Sequence, residues 1–179
     1  PLADPATVPL SAAPDPDVLT LLVREGSAAN ALQRTDIGFV TKRNGTWSEV
    51  RALTGDDRGE LAPHVAVRAD GKAVALWQRL RSASLSFDDV KTGGDLPKLW
   101  REMEIVAAVY DPAADRWTAP TELSSNDVHD HGAVLVTAGT RTDPRTFAVW
   151  LRDPGNDMTG TATAPAQIVA RELVGDTWG

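Results

Sequence analysis

A chain of 179 residues, 42% hydrophobic and 24% charged, is globular in composition and long enough to bury a core. Its net charge of −7, with Lys and Arg scattered along the chain, leaves phosphate-backbone attraction without a seat and argues against a nucleic-acid partner. The longest apolar runs, at 18–23 and 105–110, have the length of one buried strand and exclude membrane insertion by a helix, while the absence of cysteine removes disulfides and thiolate chemistry.

Val, Thr, Gly and Pro are frequent and Lys and Glu sparse, which favours strands and turns over helices. The first segment, Pro1 to Asp17, holds five prolines. Because proline donates nothing to a sheet ladder, 1–17 reads as a linker or an edge segment. A start at Pro1 without Met reads as a processed or excised piece of a longer protein. VLTLLVREG (18–26) and DIGFVTKRNG (36–45) then read as the second and third strands of a first unit, closed by NGTWSEVRALT (44–54).

A second unit follows with HVAVRA (64–69), an Asp70-Gly71 hairpin turn, AVALWQR (73–79), EIVAAVYD (104–111) and WTAPTEL (117–123). A third runs GAVLVTA (132–138), TFAVWLR (146–152), AQIVARELV (166–174) and TWG. Trp47 and Trp117 stand 70 residues apart, and so do Leu53 and Leu123, Thr54 and Ser124, Asp57 and Asp127, and Glu60 and Asp130. A fixed period of this kind marks a repeat architecture. The expectation is an all-β chain of about three four-stranded antiparallel β-propeller-type blades, in units 18–54, 55–124 and 125–179. The alternative is a repeat-containing β-sandwich, which requires strands that pair between copies. Closed propellers take roughly four to eight blades. Three therefore form an incomplete ring, and the expected partner is the remainder of a longer chain or a second copy.

Between the second and third strands of each unit lies an insertion: Ser27 to Thr35, Ser82 to Glu102, and Asp153 to Pro165. Insertions at one repeated position project from one face, and such faces often bind ligands. The longest one places Phe87, Lys91, Trp100 and Arg101 as candidate ligand-binding residues. The five repeated tryptophans (Trp47, Trp77, Trp117, Trp150, Trp178) read as fillers between sheets, with a sugar-stacking platform as the competing account.

Asp127, His129 and His131 alternate onto one side of an extended segment, so a carboxylate and two imidazoles could converge on zinc or a similar ion. The preceding copy has Asp57, Gly59 and Leu61 there, so the set is not repeated. Asp56, Asp57 and Glu60, and Asp153, Asn156 and Asp157, gather hard oxygens suited to calcium but lack the regular spacing of a calcium loop, and a solvated turn is the simpler account. No phosphate-binding loop, no G-x-S-x-G and no Ser-His-Asp arrangement is present, so no cofactor and no catalytic residue is assigned.

The pattern G-x-W-x-x-P-x-x-L-S followed by P-x-V-A-V-x-x-D-G-x-A-V-A-x-W, present as NGTWSEVRALT with APHVAVRADGKAVALW and again as DRWTAPTELS with GAVLVTAGTRTDPRTFAVW, resembles the sialidase-like, BNR-type β-propeller repeats of large bacterial exported proteins. The resemblance spans most of 18–179. It implies a secreted or cell-surface location and a non-catalytic binding or scaffold module for a glycan or a protein. The alternative is part of a sialidase-like, glycan-active enzyme. Segments 43–47 and 174–178 keep the Thr-Trp and a Gly of the Asp-box S-x-D-x-G-x-T-W but lose its serine and spacing. A sialidase also needs an arginine trio and a tyrosine with a glutamate partner. Tyr110, the one tyrosine, precedes Asp111-Pro112, where a turn suffices.

Overall fold

The computed structural model describes residues 6–12, 16–157 and 159–179. It contains three antiparallel sheets in which strands pair only with strands of their own copy. Blade 1 comprises β1 (Ala6–Pro9), β2 (Val18–Glu25), β3 (Thr35–Arg43), β4 (Thr46–Trp47) and β5 (Arg51–Ala52). Blade 2 comprises β6 (Glu60–Val67), β7 (Ala73–Leu80), β8 (Met103–Asp111), β9 (Arg116–Trp117) and β10 (Thr121–Glu122). Blade 3 comprises β11 (His129–Gly139), β12 (Pro144–Asp153), β13 (Gln167–Val174) and β14 (Thr177–Trp178). This pairing is that of propeller-type blades, and it removes the β-sandwich alternative. Part of the Pro-rich segment, β1, lies at the edge of blade 1 opposite β2. The outermost strand of blades 1 and 2 is split into two short pairings, so there are more strands than the repeat pattern suggests.

Blade 2 lies between the other two. Leu19, Leu21, Ile37 and Phe39 of blade 1 pack on Ala73, Ala75, Trp77, Val106, Ala108 and Tyr110. The other face, with Leu76, Ile105 and Ala107, meets Ala133, Ala148 and Trp150 of blade 3. Burial on both faces explains why β7 and β8 read as continuous apolar runs rather than alternating ones. The faces turned outward have no such cover. Trp47 is 52% exposed, so unlike Trp77 and Trp150 it fills no gap between described sheets. Val134, Val136, Leu151, Ile168 and Val174 of blade 3 are exposed too, and the three sheets form an open array.

Two devices recur along the chain, one within a blade and one between blades. At the start of β6 and of β11 a fully buried carboxylate faces its ladder partner, an arginine, and also accepts from a buried indole of the same blade. In blade 2, Trp77 Nε1 donates to Glu60 at 3.0 Å, and Arg79 Nε donates to the same oxygen at 2.7 Å. In blade 3, Trp150 Nε1 and Arg152 Nε donate to Asp130 at 2.6 and 3.0 Å. At the opposite end, an aspartate two residues before the outer-strand tryptophan reaches back to cations of the preceding blade. Asp115 takes two 2.8 Å bonds from Arg51, and Asp176 accepts from Arg68 at 3.0 Å.

Candidate functional site

The inner strands β6 and β11 carry the same bulge. Register shifts between Leu61 and His64 and between His131 and Val134, with Ala62 (φ 52°) and Gly132 (φ 63°) in the left-handed region. The bulge bends the strand start and aims the residues before it toward the insertion-bearing end. Each of the first two insertions then covers the start of the next blade. Leu32 of the first insertion lies on Gly59, where a Cβ would come within 1.9 Å of the Leu32 carbonyl oxygen. One copy later the equivalent of Gly59 is His129, and the second insertion lays Trp100 over it.

The second insertion folds on its own capping. Asp89 accepts from Ser86 N and Oγ at 2.9 and 2.8 Å, and Asp95 accepts from Thr92 N and Oγ1 at 3.1 and 2.8 Å. Lys98, followed by the hydroxyl and amide of Thr92, holds the Asp95 carboxyl down at about 2. The short helix α1 (Leu96–Trp100) follows, with proline in its first turn, where a missing N–H costs no helical bond.

Between blades 2 and 3 this arrangement leaves a cavity of about 400 Å³. Leu32 comes from the first insertion, Leu61 from β6, Gln78 and Leu80 from β7, Leu99 and Trp100 from α1, Met103 from β8, and His129, His131 and Gly132 from β11. Three rings stand nearly parallel along one wall. Trp100 stacks on His129 at 5.7 Å and 15°, and His129 on His131 at 4.3 Å and 20°. His129 is 4% exposed. Burial and the neighbouring His131 push its pKa down to about 4, against the pull of Asp153 and Asp130, so it is neutral at physiological pH. Nδ1 of His129 and Nε2 of His131 are buried and meet no protein hydrogen-bond partner among the described residues.

Of the four ligand-binding residues expected from sequence, only Trp100 lines this cavity. Phe87 is 59% exposed on a 3₁₀ turn, Lys91 pairs with Asp88 at 3.4 Å, and Arg101 Nε bonds the Pro97 carbonyl at 3.1 Å. The expected metal set is not assembled. His129 and His131 stack on each other, whereas Asp127 precedes β11 and accepts from Arg81 at 2.8 Å, because the alternation starts only where the strand does. Among the described residues no group of three or more His, Cys, Asp or Glu is placed to hold an ion. The calcium-like clusters serve locally: Glu60 is buried against Trp77 and Arg79, and Asp153 closes a turn by accepting from Gly155 and Asp157 N at 2.9 and 2.6 Å.

Sequence reading missed Leu32, Leu61, Leu80, Leu99 and Met103, whose apolar side chains looked like strand or loop packing. The period could have flagged Leu61, since it is the counterpart of His131. Tyr110 sits at the far end of β8 from Met103, about 20 Å away at strand rise. It is fully buried and its hydroxyl donates to Asp115 while accepting from Arg43 at 3.0 Å. Burial, then Asp115, raises its pKa, so it stays protonated as part of the link between blades 1 and 2.

No protein-family model and no curated protein matches this chain. Among solved structures it is similar to a mutant of the α-L-arabinofuranosidase arb93a from Fusarium graminearum in complex with an iminosugar inhibitor. Identity is 12% and the TM-score 0.53, over 97% of this chain and 46% of that one. It is also similar to the Penicillium chrysogenum α-L-arabinanase complexed with arabinobiose, at 13% identity and a TM-score of 0.45, over 86% of this chain and 45% of that one. The chain thus spans about half the length of either structure. At such identities the first likeness speaks to fold alone, and the chain is an all-β array of propeller-type blades.

Proposed function

We propose that the protein is a non-catalytic binding or scaffold module of a secreted or surface-displayed bacterial protein, and that it takes its ligand at the insertion-bearing end, in the cavity at Trp100. The observation that carries this reading is the contrast between repeated and unrepeated residues. The repeated carboxylates, indoles and arginines are used up in hydrogen bonds within their own blades. Trp100, His129 and His131 occur in one copy only and line the cavity. Phe87, Lys91 and Arg101 stand on the same insertion as outer contacts for a larger glycan or protein ligand. The exposed apolar face of blade 3 supports a ring completed by further blades, from a longer chain or a second copy.

The test pairs binding with turnover. Arabino-oligosaccharides, sialyllactose and a panel of peptides and small aromatics are screened by thermal shift, and the two sugars are also followed for released product. A ligand that raises Tm without being consumed, and loses its effect in Trp100→Ala, is the expected result. Turnover of either sugar, or no ligand whose effect depends on Trp100, contradicts the reading. The likeness to the arabinofuranosidase supports a second reading, in which the chain is part of a glycan-active enzyme. Turnover is the result that favours it.

A further inference from the structure

We infer that the Trp100 cavity accepts a neutral aromatic ring bearing one hydroxyl, a phenol-type group, an inference that rests on the binding reading above and names its ligand class. The wall sets the chemistry. Leu61, Leu80, Leu99 and Met103 offer apolar contact, and a thioether packs favourably against ring edges. Trp100, His129 and His131 present nearly parallel rings, against which a further flat ring packs. The lining includes no Asp, Glu, Lys or Arg, so nothing there compensates a charged ligand.

Polar capacity is small and specific. The Gln78 amide nitrogen is used by the Asp130 carbonyl at 3.2 Å. His129 Nδ1 and His131 Nε2 are buried and unpartnered among the described residues, and the Gln78 amide oxygen adds acceptor capacity. A neutral imidazole nitrogen is either a donor or an acceptor, and a hydroxyl can answer both. A sugar brings several hydroxyls, most of which would lose their water partners against leucine and methionine. A single phenolic hydroxyl can be met by these few groups without surplus. The volume of about 400 Å³ lies in the range of small-molecule sites and leaves room for a substituted phenol or a tyrosine side chain.

The experiment titrates the intact 179-residue chain with p-cresol, with toluene as its donor-less analogue, with N-acetyl-tyrosinamide and with arabinobiose, read by calorimetry and protein-detected NMR. Saturable p-cresol binding is expected, weakened about tenfold or more by Trp100→Ala. His131→Phe, which keeps a ring and removes the nitrogens, should weaken p-cresol several-fold and leave toluene unchanged. It also serves as the second variant should Trp100→Ala fold poorly. N-acetyl-tyrosinamide binding as well as p-cresol points to a peptide tyrosine, and p-cresol alone to a free phenol; both support the inference. No saturable p-cresol binding, or binding indifferent to both substitutions, overturns it. Arabinobiose binding that depends on Trp100, with p-cresol silent, overturns the ligand class but keeps the binding reading. Silence of every probe at Trp100 removes both.

Discussion

His129 links the site to stability. Its folded pKa of about 4 lies below the ordinary 6.5, so the buried imidazole is fully favourable above pH 6.5 and that contribution is lost as pH falls toward 4. A shift of that size corresponds to about 3 kcal/mol. Chemical denaturation at pH 7 and pH 4.5 should show a loss of that order, shrinking in His129→Gln; an unchanged pH dependence in the variant would contradict the assignment. The buried carboxylates make a second residue-scale case. Asp130→Ala removes the partner of Arg152 and leaves the buried Trp150 Nε1 without its acceptor, and a buried donor left unsatisfied costs about 1–3 kcal/mol. A urea midpoint within error of the parent would refute it. The period of 70 already paired Glu60 with Asp130. Their burial was not legible, because it depends on Arg79 and Arg152 arriving from another strand.

At the scale of elements, the bulge and the insertions set the site. Ala62 adopts φ 52°, where a Cβ is strained, while its counterpart Gly132 is free of that cost. Ala62→Gly should therefore stabilise by about 0.5–1 kcal/mol, and a lowered Tm would speak against a bulge at that position. Gly59→Ala has the opposite sign, since the added Cβ meets the Leu32 carbonyl backbone and must displace the first insertion. Strand existence and order could be read from the short apolar runs and from Asp70-Gly71. That one insertion roofs the next blade could not, because it joins residues such as Leu32 and Gly59 through shape alone. Its place in the longest insertion makes Trp100 a candidate, and alternation along an extended segment makes His129 and His131 candidates, but for metal rather than for stacking.

For the whole molecule, coverage on both faces should make blade 2 the most stable unit. Native-state hydrogen exchange is expected to protect β7 and β8 most, with blades 1 and 3 opening at lower free energy. Equal protection across the three would argue against an array held chiefly by blade 2. The central claim is that the insertion-bearing end, at Trp100, binds without catalysis. The most direct test is an NMR titration with p-cresol and, separately, arabinobiose, following the indole signals of the six tryptophans while product is monitored in the same tube. The account predicts that one ligand moves the Trp100 indole and the backbone of 129–132, leaves Trp77 and Trp150 in place, and is recovered intact. Ligand consumption, or shifts that spare Trp100, would contradict it.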